Sequence, residues 1–198
     1  GSRPSADPPH AAGPAVHAAA RLTSLAASLP PASGPRGTRE MAASGADVVS
    51  EAPAERWSLP ATDAAAGRMR HGAILSGVEL FDGAFFGVSP AEAAAMDPQQ
   101  RLLLERGYEA LHGAGLARHE LLGLSTGVFL GASYSDFERL LHGKAPPSAY
   151  AATGGSLAVA SGRLSYTLGL QGPAVSYDTA CSAALTASHA ATSALRLG

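Results

Sequence analysis

Residues 174–185, AVSYDTACSAAL, constrain the fold more than any other stretch, because the sequence changes character in the middle of them. A Gly172-Pro173 turn signal precedes Ala174, Val175, Ser176 and Tyr177, which read as a short buried strand closed by Asp178 and Thr179. From Ser182 onward, Ala183, Ala184, Leu185, Ala187, Ala190, Ala191 and Leu195 form an Ala-rich helical run whose small side chains permit close packing. A strand that bends straight into such a helix belongs to a layered α/β fold. The bend holds Cys181, the only cysteine of the chain. A helix N-terminus offers unpaired N–H groups and the positive end of a dipole, a setting that favours a thiolate nucleophile and a developing oxyanion. Cys181 is therefore the candidate catalytic residue, an acyl-accepting nucleophile. The alternative is a packed, inert core thiol.

Upstream, the same architecture repeats. TGVFLG, residues 126–131, is an apolar run too short for a helix and bounded by glycines, which predicts a central strand. Ser89-Pro90-Ala91-Glu92 and Asp97-Pro98-Gln99-Gln100 are two capping boxes with proline at the first helical position, so two helices follow in succession. In the second, Leu104, Tyr108 and Leu111 share a core-facing side, Arg101 is spaced to pair with Glu105, and Gly113 and Gly115 end the helix. Ser135-Asp136-Phe137-Glu138 predicts a further helix after the strand. Gly154-Gly155-Ser156 leads into another, with Leu157, Ala160 and Leu164 on one face and Gly169 at its end. Asp82, Asp97, Glu105 and Glu109 allow a carboxylate-pair hypothesis for acid-base catalysis, but caps and solvated helix faces account for them better. Trp57 reads as an apolar anchor plugging into the core. Arg68, Arg70 and His71 receive no chemical role.

Composition excludes several classes. With 14 Lys+Arg against 16 Asp+Glu the net charge is -2, so no basic field exists for nucleic acid. One cysteine precludes an internal disulfide and any multi-cysteine zinc site, which fits a reducing compartment, and a cytoplasmic location is expected. No apolar run approaches the roughly 20 residues of a membrane span. Lys144 is the sole lysine and is followed by Ala145, which rules out a P-loop, and no metal-ligand spacing occurs. Residues 1–44 are read as a disordered or linker segment, Ala/Pro-rich, with a short helix around residues 18–28 as an option and His10 and His17 in solvent. Their Arg- and Ser-rich, acid-poor composition also admits a remnant organelle-targeting segment, although a linker suits it better.

DTACSAAL, preceded by SGRLSYTLGLQGP and followed by His189, resembles the active-site block of beta-ketoacyl synthases. GVELFDGAFFGVSPAEAAAMDPQQRLLLERGYEALHGAGL resembles an upstream segment of the same family, and the nearer likeness is to ketosynthase domains of modular polyketide synthases and animal-type fatty acid synthases. The resemblance runs over residues 45–198, taken as a partial ketosynthase domain. Ala183 and Ala184 replace the serines expected after the cysteine, and nothing in residues 1–40 resembles the family's first strand and Gly-rich turn.

The resemblance implies an α/β fold, the N-terminal half of a thiolase-like layered architecture, and a homodimer built partly from the strand before Cys181 and the helix over residues 156–168. Arg163 and Tyr166 would be packing and hydrogen-bonding positions. It implies acyl transfer to Cys181 from a phosphopantetheine thioester on an acyl carrier protein, with no cofactor bound directly and no metal. A malonyl-type unit would then lose carbon dioxide and attack the acyl-cysteine, yielding a beta-ketoacyl thioester. The family's two histidines for that step lie beyond the cysteine, in a C-terminal half that this chain does not include. None of His10, His17, His71, His112, His119, His142 and His189 stands in a similar motif. His189, two helical turns past Cys181, is read as structural, and His112 and His119 as surface residues. Two other classes stay open: a non-catalytic ketosynthase fragment or scaffold piece, and a cysteine acyltransferase or hydrolase with a histidine base.

Overall fold

The computed structural model describes residues 20–30, 32, 34–57, 67, 69–141 and 149–197. Its organising unit is a pair of parallel strands, β3 (Val128–Gly131) and β4 (Ala174–Tyr177), in the register Val128 to Ala174, Phe129 to Val175, Leu130 to Ser176 and Gly131 to Tyr177. Parallel pairing needs a long crossover. Here the crossover includes α6 (Asp136–Leu141), α7 (Ala151–Gly154) and α8 (Leu157–Leu168). A 3-10 turn, Ala180–Ser182, and α9 (Ala183–Leu197) follow β4.

Strand alternation places α8 and α9 on opposite faces of this pair. Ser176 Oγ donates to Ser161 Oγ of α8 at 2.9 Å, so Ser176 and its partner Leu130 face α8. Successive strand residues point to opposite sides, and Gly131 and Tyr177 therefore face α9. A Cβ on Gly131 would overlap the backbone of Ala183 and Ala184, so only glycine lets the first turn of α9 lie so close to β3.

The α8 face is covered by a second layer. Before β3 the chain forms α1 (Gly34–Ser44), the paired two-residue strands β1 (Ser50–Glu51) and β2 (His71–Gly72), then α2 (Gly83–Phe86), α3 (Pro90–Ala95), α4 (Pro98–Gly113) and α5 (Arg118–Leu121). Phe86, Val88, Met96 and Leu104 form one buried cluster, and Leu121, Leu168 and Leu170 a second. Tyr108 of α4 and Leu164 of α8 pack against both clusters and join them. Burying each of Met96, Leu104, Leu121 and Leu168 stabilises the fold by about 1.5–3 kcal/mol.

Local punctuation matches much of the expectation. Ser89 Oγ accepts from Glu92 N at 3.2 Å and Asp97 Oδ1 from Gln99 N at 2.8 Å, with proline at the start of both helices. Gly169 ends α8 at φ +71°, a left-handed value that Gly adopts without a Cβ penalty. The strand expected over residues 126–131 begins two residues later, at Val128.

Other expectations are corrected. Residues 34–44 of the expected linker are helical, held by the Arg36–Glu40 ion pair and a Thr38 hydroxyl bond to Gly34 O, and α1 buries none of its residues. Residues 20–28 form no helix, and the segment ends in a backbone turn in which Leu29 N donates to Ala32 O at 2.9 Å. Trp57 is 43% exposed, its Nε1 donating to Met69 O on the surface rather than plugging the core. Glu105 pairs with Arg106, not Arg101. Tyr166 is exposed and packs into neither cluster, because its position on α8 faces away from α4 and the strands. His10, His17, Arg68, His142 and the expected loop over residues 144–148 lie outside the described residues.

Candidate functional site

Strand β4 delivers the chain to a bend stitched by short side chains. Asp178 Oδ1 accepts from Ala180 N at 3.1 Å. Ser182 Oγ donates to Thr179 O and bonds Thr179 Oγ1, both at 2.9 Å, and Thr179 Oγ1 lies 3.2 Å from Thr186 Oγ1. Ala180 sits at φ +52°, a left-handed conformation that costs a residue bearing a Cβ about 1 kcal/mol or more. Those bonds hold it there. Cys181 is the next residue, inside the 3-10 turn that runs into α9, so it occupies the helix N-terminal setting that the sequence indicates.

The thiol is exposed in this chain, unlike the packed core thiol of the alternative reading. Small side chains explain the exposure: only Ala183 and Ala187 of α9 are buried, while Asp178, Thr179, Ala180 and Ser182 around the cysteine are exposed. In open α/β sheets, ligands bind outside the carboxyl ends of the strands. Cys181 follows the carboxyl end of β4 by four residues.

No histidine joins it among the described residues. The bonds at the bend involve Asp178, Thr179, Ser182 and Thr186. His189 is exposed on α9, eight residues and roughly 12 Å of helix rise from Cys181. His112 and His119 are exposed as expected, His112 lying 5.9 Å from the Tyr108 ring. No group of His, Cys, Asp and Glu suited to a metal ion occurs among the described residues.

A buried polar network escapes the sequence reading. Gln100, expected to cap α4, instead sends Nε2 to Thr153 O, Gly154 O and Ser156 O at 3.0, 2.9 and 3.0 Å. Its Oε1 accepts from Arg163 Nε at 2.7 Å, and Arg163 Nη1 also pairs with Glu92. Asp97 is 2% exposed; beyond capping α4, its Oδ2 accepts from Ser135 Oγ at 2.8 Å. Ser135, expected to cap α6, thus bonds to the N-cap carboxylate of α4. The only local signal was an Arg in the middle of an apolar helix, which a buried position permits only with partners. Arg101 is held below its ordinary pKa by burial, with the carboxylates of Asp97, Glu105 and Glu79 opposing that shift. None of the acids forms a carboxylate pair at the cysteine: Asp82 accepts from Phe85 N, and Glu105 and Glu109 pair with Arg106.

Comparison with known proteins agrees with this arrangement. The family model for the beta-ketoacyl synthase N-terminal domain matches residues 21–198. Polyketide synthase GfsE of Streptomyces halstedii is 44% identical over 195 residues, covering 94% of this chain and 5% of that protein. Erythronolide synthase EryA3 of Saccharopolyspora erythraea is 48% identical over 166 residues, covering 80% of this chain and 5% of that protein. The oxazolomycin ketosynthase domain OzmH KS7 of Streptomyces albus superposes with a TM-score of 0.75 at 33% identity, covering 89% of this chain and 32% of that one. The ketosynthase from module 6 of the Bacillus subtilis bacillaene synthase gives 0.73 at 30% identity, with 87% and 28% coverage. The chain thus spans a twentieth of those polyketide synthases and under a third of the solved ketosynthase chains, and its α/β architecture is that of their N-terminal part.

Proposed function

The chain belongs to the beta-ketoacyl synthase family, and we propose that it supplies the acyl-accepting cysteine of a polyketide-synthase ketosynthase, with Cys181 as the nucleophile. The observation that carries this reading is the exposed thiol in a 3-10 turn, entered through the left-handed Ala180 and leading into α9. Sγ attacks the thioester carbonyl of an acyl group carried on phosphopantetheine. The carrier sulfur leaves, taking up a proton, and an acyl-cysteine remains. Backbone N–H groups at the start of α9 are suited to the oxyanion formed in that step.

Condensation follows in the proposed sequence. A malonyl-type thioester loses carbon dioxide, its enolate carbon attacks the acyl-cysteine carbonyl, and the carbon–sulfur bond to Cys181 breaks. The enolate needs positioned donors, each worth roughly 100-fold in rate. His189 is too distant to serve, so these come, in this proposal, from a C-terminal half of the domain. Leu185, 75% exposed on α9, supports such a covering segment, since a large apolar side chain beside a reacting centre is a surface for burial. An acyl carrier protein and a homodimeric ketosynthase complete the proposed assembly. A cytoplasmic location belongs to the same proposal, and among the described residues no helix is long and apolar enough to cross a membrane. The division into a linker, residues 1–44, and a partial domain, residues 45–198, belongs to the same proposal; α1 buries none of its residues, while the family match starts earlier, at residue 21.

The test has two readouts. Incubating the complete ketosynthase with an acyl thioester and mapping its peptides should place the acyl group on Cys181, and Cys181→Ala should abolish both acylation and formation of the beta-ketoacyl product, a condensation that releases carbon dioxide from malonyl-carrier protein. The 198-residue chain on its own should release none. Acylation elsewhere with Cys181 unmodified, or turnover by the isolated chain, would sink the reading.

A further inference from the structure

Three hydroxyl side chains meet around the residues that carry the thiol. Ser182 Oγ lies 2.9 Å from both Thr179 O and Thr179 Oγ1, Thr179 Oγ1 lies 3.2 Å from Thr186 Oγ1, and Thr186 Oγ1 donates to Ser182 O at 3.1 Å. A hydroxyl has one hydrogen to give. With the Thr186 hydrogen committed to Ser182 O, the contact between the two threonines needs Thr179 as donor and Thr186 as acceptor. The Ser182 hydrogen then goes to Thr179. The circuit from Thr186 to Ser182 to Thr179 and back to Thr186 is closed, and hydrogen bonds linked in this way polarise and strengthen one another.

The circuit encloses Ala180 and Cys181, the two residues between its tied positions 179 and 182. Ala180 at φ +52° is strained, and Thr179, Ala180, Cys181 and Ser182 are exposed, so no apolar burial holds the bend in shape. Its support has to be polar. Asp178 Oδ1, accepting from Ala180 N, supplies one tie from within the bend. Thr186 is the member of the circuit that lies outside it, half-buried on α9 and adjacent to the buried Ala187. That part of α9 is firmly seated, since a Cβ on Gly131 of β3 would overlap the Ala183 and Ala184 backbone. Thr186 thus transmits the position of a packed helix to an otherwise unsupported bend.

We propose that Thr186 is a positioning residue for acyl transfer: through Thr179 and Ser182 it fixes the Cys181 backbone, so that a thioester carbonyl carbon meets Sγ while its oxygen meets the N–H groups at the start of α9. The inference rests on Cys181 being an acyl acceptor. The Thr186 hydroxyl gives its hydrogen to Ser182 O and takes one from Thr179, so it moves no proton in the reaction and acts only through those two residues. Acylation needs Sγ and the oxyanion donors aligned together, whereas alkylation by a small haloacetamide forms no oxyanion and needs only an accessible thiolate. The two reactions therefore separate position from reactivity.

The experiment uses the complete ketosynthase that carries this chain, unaltered and as Thr186→Val, which keeps the side-chain shape without the hydroxyl, and Thr186→Ser, which keeps the hydroxyl. Rates of Cys181 acylation by an acetyl thioester are followed by intact mass, beside alkylation by iodoacetamide. Thr186→Val should acylate about tenfold more slowly, the scale expected when reacting atoms shift by a fraction of an ångström, while alkylation changes by less than about twofold. Thr186→Ser should restore the acylation rate. A merely structural role would lower the melting temperature and leave acylation unmoved, and that outcome overturns the proposal. A parallel fall in acylation and alkylation also overturns it, because access or thiolate content would then have changed instead of position. Should Thr186→Val fail to fold, Ser182→Ala, which removes the exposed Ser182 hydroxyl from the same circuit, decides by the same two rates. Absence of acylation in the unaltered ketosynthase would sink the acyl-acceptor reading itself, a failure distinct from a Thr186→Val variant that acylates as fast as the unaltered protein.

Discussion

The two faces of the β3–β4 pair are built to different standards. Against the α8 face lie two joined apolar clusters and the Gln100–Arg163–Glu92 network, in which long side chains meet long side chains. Against the other face lies α9, whose buried residues are two alanines and whose Leu185, Leu195 and Leu197 remain exposed. Close approach to the glycine of β3 substitutes there for side-chain bulk. Stability accordingly resides with α4 and α8, and the exposed thiol resides on the lightly packed face. The Cys181 thiol thus keeps an access to solvent that a dense core would remove.

Substitutions on the two faces should therefore separate. The largest effect is expected for Leu104→Ala, which opens a cavity in the first cluster and should cost about 2–5 kcal/mol by denaturant titration. Leu185→Ala on α9 should cost no more than about 0.5 kcal/mol in the same assay. Equal losses would erase the contrast between the faces. Gly131→Ala comes next: its Cβ meets the Ala183 and Ala184 backbone, and relief by moving α9 should cost about 1–3 kcal/mol and change the Cys181 alkylation rate. An unchanged rate would show that the α9 seat and the thiol are independent. Ser89→Ala, which removes the α3 cap, should cost about 1 kcal/mol with Cys181 alkylation unaltered. A change in alkylation there would tie the two faces together.

Legibility followed the range of the interactions. Caps, the α4 core face, the β4-to-α9 switch and Cys181 at its bend were readable in sequence, because each depends on neighbours within about a turn of helix or on strand alternation. Trp57 misled because aromatic burial depends on what lies across from the ring, and here Met69 O and solvent do. Arg101 misled for a similar reason: correct spacing for an ion pair did not stop Glu105 from turning to Arg106.

What the amino-acid order decided was which segments are strands and helices, which face of α4 is apolar, and that the lone thiol follows a strand and opens a helix. Only the tertiary structure decided that Gln100 serves α7 and α8 instead of its own helix, that Asp97 reaches Ser135 across 38 positions, and that β3 pairs with β4 in parallel. The physical reason is that a buried polar atom takes whichever partner desolvation leaves within reach. That partner is chosen by the packing of β3 against β4 and of α4 against α8, and no local pattern records it.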